Sequence, residues 1–202
     1  MIKNEEEKST EMYRLRKSIG LLGVFLPIAL YLGYDPSIIL NSFSHYYYTR
    51  SSVFFIAVIF TFALLLFSYK GYEKLPEEKV SDNFITTLAG IFALLTVLIP
   101  TSSAGSGGVI PFAEAPYLFG HSDNKILSSI HLISAGIFIS LLGFMSYFKF
   151  TLSEDNTNSL NTFYKISALC VWGSIICIIL CIIIEDIGIE IKFPYIFIFE
   201  FI

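Results

Sequence analysis

The sequence predicts an all-α protein, a polytopic bundle of transmembrane helices with five full spans and a short apolar segment at its C-terminus. Three observations predict this fold class. Of 202 residues, 54% are hydrophobic and only 15% are charged, whereas a soluble domain carries about 25% charged residues. Five apolar runs are long enough to cross a bilayer, and lysine and arginine concentrate in alternate loops.

The apolar runs divide the chain into a charged arm, residues 1–18, and a single transmembrane domain, residues 19–202. A transmembrane helix needs about 20 mostly apolar residues. The full spans are predicted at residues 19–34, 53–69, 83–100, 126–148 and 166–184. A further run at 193–202 gives a helix of only about 15 Å. It is either an interfacial segment or the beginning of a sixth span that the chain does not complete, and we favour the second.

The distribution of positive charge predicts the orientation of these spans. Lysine and arginine near helix ends remain on the cytoplasmic side of a membrane. With five crossings, ten of the 13 lysines and arginines fall on the side of the N-terminus, and only Arg50, Lys125 and Lys192 fall on the other. The N-terminus is therefore predicted to be cytoplasmic, and the charged arm to be a solvated terminus.

The remaining composition excludes several classes of function. A net charge of −4 offers no basic surface, so no nucleic-acid partner is expected. Cys170, Cys177 and Cys181 share one apolar run without a histidine beside them, so we expect packing residues and neither a metal site nor a cofactor. The span interiors hold almost no ionisable side chains, which argues against an ion-coupled pump.

Small residues that let helix backbones approach predict how the spans pack. The third span has such a face at Ala89, Ala93, Thr96 and Pro100, and the fourth has another at Ser129, Gly136, Ser140 and Gly143. These two spans are predicted to pack centrally. Such faces also suit the lining of a passive pore or the contact of a homo-oligomer.

The three histidines, His45, His121 and His131, all map to the outer side of the membrane. Only His131 lies on an apolar span, where it needs a partner. Glu185 or Asp186, at the outer end of the fifth span, is predicted to supply it. The outer loop at residues 101–125 is long enough to cover this polar mouth as a lid.

The segment Ser42 to Arg50 has two interpretations. Its three consecutive tyrosines are typical of the aromatic belt at a membrane surface. Alternatively, Tyr47 and Arg50 contact a lipid headgroup or another ligand, with Arg50 pairing a phosphate or carboxylate. No catalytic residue is predicted, and the candidate ligand-binding residues are His45, Tyr47, Arg50, His121, His131 and Glu185.

Parts of the chain are also similar to a known group of proteins. The stretch Ser42 to Thr49, the end of the second span at Ser68 to Tyr72, and the stretch from Ala89-Gly90 to Pro100-Thr101-Ser102 carry the similarity. There the chain resembles an uncharacterised family of bacterial multi-pass membrane proteins. The resemblance implies six spans in a bacterial plasma membrane, with a last helix that Phe193 to Phe201 matches only at its start, which favours an incomplete sixth span. It implies no activity.

Three functions stay open at this point. The first is a binding or passive-pathway protein with a polar mouth on the extracytoplasmic side, whose partners are membrane lipids and further copies of itself. The second is a membrane-embedded lipid hydrolase or transferase that uses the outer histidines. The third is an accessory subunit of a membrane complex. The absence of a His-x-x-x-His pair or a His-Glu-x-x-His motif leads us to expect the first rather than an enzyme.

Overall fold

The computed structural model describes residues 2–71, 80–102, 124–151, 159–189, 191 and 193–201. These residues form helices, and no strand occurs among them. The helices are α1 Ile2–Gly33, α2 Ser52–Ser68, α3 Asp82–Leu98, α4 Lys125–Phe144, α5 Ser159–Asp186 and α6 Tyr195–Phe201. A short 3-10 helix, Phe43–Tyr48, precedes α2, and a π-helical turn, Met145–Lys149, continues α4.

Three of the helices are long and apolar enough to cross a membrane. The stretches concerned are Tyr13–Gly33, Lys125–Lys149 and Leu160–Asp186. The apolar helices α2 and α3 have 17 residues each, so each is about 25 Å long, against about 30 Å for a hydrocarbon core. The all-α class is therefore confirmed, and three of its helices are long enough to cross a hydrocarbon core of ordinary thickness.

Helix α1 begins much earlier than the first apolar run. It is continuous from Ile2 to Gly33, so the charged arm predicted as a solvated terminus belongs to the same helix as the first span. The arm is rich in glutamate, lysine and arginine, which have high helix propensity. Pro27 lies inside the helix, where it removes one backbone hydrogen bond without ending the helix.

The core forms where α2 and α3 pack side by side. Ala89 and Ala93 of α3 are completely buried and Thr96 nearly so, against Ala63 and Phe62 of α2. The small-residue face predicted for the third span is therefore confirmed. Because alanine adds so little bulk, the two helix backbones approach closely along this face.

The face predicted for the fourth span is confirmed at Gly143, which is buried, and is wrong at two of its other residues. Ser129 is exposed, and a Cβ atom added at Gly136 would meet nothing within 4 Å. Gly143 shares the buried side of α4 with His131, Ser134 and Phe138. The hydrogen bonds of His131 and the contact between the rings of Phe138 and Phe62, whose centroids are 6.0 Å apart, set the rotation of this helix more strongly than small residues do.

Gly90 of α3 and Gly136 of α4 give a matched test of this packing. A Cβ atom at Gly90 would lie 2.9 Å from the ring of Phe67, so Gly90→Ala is expected to destabilise the bundle by about 1–3 kcal/mol through overpacking. Gly136→Ala fills open space and is expected to stabilise α4 by up to about 1 kcal/mol. Thermal unfolding in detergent would measure both. Equal unfolding midpoints for the two variants would contradict the packing of α3 against α2.

The end of the bundle opposite the 3-10 helix is held by a nearly buried ion pair. Lys149 Nζ lies 3.2 Å from a carboxylate oxygen of Asp82 and donates to the backbone carbonyl of Val80 at 2.7 Å. This pair ties the end of α4 to the beginning of α3. The other end of the bundle, where α1 ends and α2 begins, holds a second set of buried polar side chains, which includes Ser44, His45 and His131.

Candidate functional site

A serine positions the polar residues of the 3-10 helix. Ser42 occupies the N-cap position, and its side-chain oxygen accepts a hydrogen bond from the backbone N–H of Ser44 at 3.1 Å. Serine favours this position because its hydroxyl satisfies an N–H that has no partner inside the helix. The cap directs Ser44 and His45 into the bundle, where both are buried.

His131 connects this 3-10 helix to the end of α3. Its Nδ1 lies 2.6 Å from the backbone oxygen of Ile99, and its Nε2 lies 2.8 Å from Ser44 Oγ. A carbonyl oxygen only accepts, so Nδ1 carries a proton and donates it. In the neutral imidazole, Nε2 then accepts a hydrogen bond from the Ser44 hydroxyl. The bond to Ser44 is buried and the bond to Ile99 is partly buried, and together they join three elements at one residue.

His45 is the second buried histidine of this cluster, with 4% of its surface exposed. Burial lowers the pKa of its imidazole to about 4, a hydrogen bond to the backbone of Ser102 opposes this shift, and the neighbouring His131 adds to it. Its Nδ1 has no hydrogen-bond partner among the residues that the structure describes. His45 is therefore a neutral side chain at physiological pH.

Glu200 of α6 completes the cluster. Its carboxyl oxygens accept a hydrogen bond from the Ser42 hydroxyl at 3.0 Å and another from the Phe43 backbone N–H at 2.6 Å. Beside it, the Phe197 N–H donates to the Asn41 carbonyl at 2.7 Å, and the rings of Phe43 and Phe197 meet edge to face at 4.9 Å. The C-terminal run thus folds back onto the residues before the 3-10 helix.

The predicted pairing of His131 with Glu185 or Asp186 is wrong. The ring nitrogens of His131 bind Ile99 and Ser44, while Glu185 accepts a hydrogen bond from the Tyr195 hydroxyl at 2.8 Å. The partner of Glu185 comes from the tail of the chain instead. Glu185 therefore holds the beginning of α6 against the end of α5.

Arg50, predicted to contact a lipid headgroup, uses its guanidinium group to bind backbone carbonyls. Its Nε donates to the Gly33 carbonyl at 2.8 Å, and its Nη2 donates to the Tyr34 carbonyl. The last carbonyls of a helix have no partner inside it and carry partial negative charge, so a cation there is favourable. Arg50 thus caps the C-terminal end of α1.

The three tyrosines of the 3-10 helix have different environments. Tyr46 is completely buried, Tyr47 is half-buried against the rings of Tyr48 and Phe55, and the Tyr48 hydroxyl donates to the Thr101 carbonyl. An aromatic belt would place all three rings at the membrane surface, so that interpretation is wrong for Tyr46. Tyr47 contributes an aromatic wall to the core.

Of the six predicted site residues, the structure brings His45 and His131 together. Tyr47 lies in the same 3-10 helix as His45, and Arg50 and Glu185 hold nearby helix ends. His121 lies outside the described residues. Sequence reasoning missed Ser44 as the partner of His131, and it missed Glu200, although an isolated acidic residue in an aromatic apolar run is itself a signal of a buried polar contact.

Two apolar cavities adjoin Glu200. The first, the α1–α4 cavity, has a volume of about 500 Å³ and lies between α1, α2 and α4, with Ser44, Thr96 and Glu200 as its polar lining residues. The second, the α4–α5 cavity, has a volume of about 580 Å³ and an almost entirely apolar wall, which consists of aliphatic side chains together with Trp172 and Phe144. Both volumes fall in the range of small-molecule sites, about 300–1,000 Å³.

The neutral state of His45 predicts a specific dependence of stability on pH. Its pKa is about 4 in the folded protein and 6.5 in the unfolded chain, so between these values the unfolded chain binds more protons. Stability is therefore complete above pH 6.5 and falls as the pH decreases toward 4, by at most about 1.4 kcal/mol per pH unit for one group.

The comparison of the wild type with His45→Gln isolates this contribution, because every other titrating group is common to both proteins. Unfolding midpoints measured between pH 4.5 and 7.5 should fall more steeply in the wild type as the pH decreases. Parallel curves for the two proteins would show that His45 is accessible to protons in the folded state.

The described residues contain no group of three or more histidine, cysteine, aspartate or glutamate side chains arranged to hold a metal ion. Comparison with family models, with curated proteins and with solved structures finds no match to this chain.

Proposed function

We propose that this chain is an integral protein of a bacterial plasma membrane that crosses it five times, with its N-terminus in the cytoplasm. The ten-to-three division of lysine and arginine between alternate loops supports this topology. Helices α2 and α3 would cross as the second and third spans, and local thinning of the bilayer would accommodate their length of about 25 Å. We also place the chain with the bacterial multi-pass family that it resembles.

Reporter fusions test the topology directly. A reporter inserted near residue 75 should be active in the cytoplasm, and one inserted near residue 110 should be active outside. The opposite pair of results would invert the orientation, and two reporters on the same side would remove the crossing by α3.

For its function, we propose that the protein binds an amphiphilic membrane lipid in the α1–α4 cavity. The hydrocarbon part of the ligand lies among apolar residues of α1, α2 and α4, and its polar part lies at Ser44 and Glu200. The observation that carries this proposal is the composition of the cavity, which is apolar along its length and polar where it meets the 3-10 helix and α6. Small-molecule sites combine a mostly apolar wall with a few placed polar groups in this way.

The position of the cavity supports a lipid rather than a soluble metabolite. Gly20, Gly23 and Pro27 of its wall belong to a helix that is long and apolar enough to cross a membrane. A ligand that enters between such helices comes from the hydrocarbon phase, where a free polar metabolite does not partition. The polar cluster then selects the ligand by its head.

Three glycine-to-leucine variants make a matched test. A Cβ atom at Gly20, Gly136 or Gly173 would meet nothing within 4 Å, so each variant should fold. Gly20 lines the α1–α4 cavity, Gly136 lines the α4–α5 cavity, and Gly173 lines neither. Lipid retained by the purified proteins would be measured by native mass spectrometry, together with the thermal shift on adding phospholipid.

The proposal predicts that Gly20→Leu loses most of the retained lipid and of the thermal shift, because leucine fills part of the cavity. Gly136→Leu and Gly173→Leu should retain both. Loss in Gly136→Leu alone would move the ligand to the α4–α5 cavity. Equal binding by all three variants and the wild type would refute a lipid in either cavity.

A further inference from the structure

Ser44, His131 and the Ile99 carbonyl form a chain of hydrogen bonds with a defined direction. The Ile99 carbonyl fixes the proton on His131 Nδ1 and holds the ring, and Nε2 accepts the Ser44 hydroxyl hydrogen at 2.8 Å. A nucleophilic hydroxyl, a base within hydrogen-bond reach and a third group that orients the base are the parts of a serine nucleophile site.

The surroundings of this pair suit a reaction with a lipid. Ser44 and His131 are 7% and 3% exposed, so bulk water does not compete for their hydrogen bond. Ser44 also lines the α1–α4 cavity, which gives a molecule in that cavity access to its hydroxyl. The nucleophile therefore lies where an apolar chain of a ligand ends and its polar part begins.

We propose that Ser44 and His131 catalyse acyl transfer from an ester of a fatty acid, an inference that rests on the proposed binding of a lipid in the α1–α4 cavity. Ser44 is the nucleophile, and His131 is the general base and then the general acid. The Ile99 carbonyl is the positioning group.

The reaction balances without a metal or a redox partner. Ser44 Oγ forms a bond to the ester carbonyl carbon as its proton moves to His131 Nε2. The bond from that carbon to the alcohol oxygen then breaks, and the alcohol leaves with the proton from Nε2. The acyl group, now an ester of Ser44, is released when water attacks the carbonyl carbon, transfers its proton to Nε2, and Ser44 Oγ takes that proton back. The products are an alcohol and a fatty acid.

The residues before Ser44 also supply hydrogen-bond donors for a negative oxygen. The Ser42 hydroxyl and the Phe43 N–H both donate to the carboxyl group of Glu200. Donors of these two kinds stabilise the oxyanion that forms in acyl transfer. Both donors are bound to Glu200 in this structure, so an oxyanion can use them only after Glu200 releases them.

A fluorophosphonate with a long alkyl chain tests the assignment, because an activated serine attacks its phosphorus and expels fluoride. The wild-type protein in detergent should become covalently labelled, and peptide mapping by mass spectrometry should locate the label on Ser44. Hydrolysis of a long-chain p-nitrophenyl ester should be measured in parallel. Label on no residue, or on another residue, would overturn the proposal, and this result needs no variant to fold.

Three variants extend the test. Ser44→Ala should abolish labelling, and His131→Asn, whose amide nitrogen keeps the bond to Ile99, should lower ester hydrolysis at least 100-fold. Ser129→Ala, an exposed serine of the same helix as His131, should stay within twofold of the wild type. If the wild type binds lipid in the α1–α4 cavity but is not labelled, the catalytic assignment fails and the proposed function stands. If it does not bind lipid, the proposed function itself fails.

Discussion

Replacing His131 with phenylalanine is expected to cost more stability than any other single change in the buried polar cluster. The substitution fills the same space but leaves the Ile99 carbonyl and the Ser44 hydroxyl without their buried partner. Each unsatisfied buried group costs about 1–3 kcal/mol, whereas hydrogen bonds between membrane helices average only about 0.6 kcal/mol each. The free energy of unfolding should therefore fall by about 1–6 kcal/mol.

Unfolding in mixed micelles with increasing denaturing detergent would measure this loss. Ser129→Ala is the control, because Ser129 donates only within its own helix, to Lys125, and is exposed; it should change stability by less than about 0.5 kcal/mol. A His131→Phe variant as stable as this control would mean that the histidine does not hold α3, α4 and the 3-10 helix together.

The helices themselves were the part of the fold that the sequence could predict. Apolar runs between charged loops located α2, α3 and α4 to within a few residues, because a chain in lipid must satisfy its backbone internally and helices do so. The buried face of α3 was also predictable, since Ala89 and Ala93 repeat at one helical turn. The early beginning of α1 was not, because charged residues carry no hydrophobic period.

The contacts of the site were beyond what the sequence could predict. The requirement of His131 for a polar partner followed from its place on an apolar span, but the identity of that partner depends on how far α4 rotates about its axis. That rotation brings Ser44, 87 residues away in the chain, to its Nε2. Among the possible partners of His131 at one end of the bundle, residue type alone favoured the carboxylates of Glu185 and Asp186. In the structure its partners are the Ser44 hydroxyl and the Ile99 carbonyl.

The contacts of the C-terminal run were also beyond what the sequence could predict. As an isolated apolar segment it is too short to cross a membrane, so the sequence leaves it as either an interfacial segment or an incomplete span. In the structure its helix is anchored at both ends by polar contacts, Tyr195 to Glu185 and Glu200 to Ser42 and Phe43. The spacing of apolar residues in this run does not predict these contacts, because each contact joins residues on separate elements.

Replacing Glu200 with alanine is expected to free α6 from the rest of the bundle. Burial raises the pKa of the Glu200 carboxyl group to about 7, so this group is not fully charged at neutral pH. The change removes the acceptor for the Ser42 hydroxyl and for the Phe43 N–H, and two such hydrogen bonds contribute about 1–3 kcal/mol together. A loss of this size raises the population of the open state about five- to 150-fold. Hydrogen exchange of the amides between Tyr195 and Phe201, measured by mass spectrometry, should accelerate by the same factor.

Three further variants separate this anchor from other effects. Glu200→Gln keeps one acceptor oxygen, so it should show an intermediate rate. Tyr195→Phe removes only the hydroxyl that binds Glu185 and should accelerate exchange less than Glu200→Ala, since the backbone contact of Phe43 persists. Glu11→Ala, at an exposed position of α1, should leave exchange in α6 unchanged. Because Glu200 lines both cavities, a freed α6 should also admit a lipid faster. Unchanged exchange in Glu200→Ala would show that the other contacts of α6, those of Phe197 with Phe43 and Asn41 and of Tyr195 with Glu185, hold the helix in place.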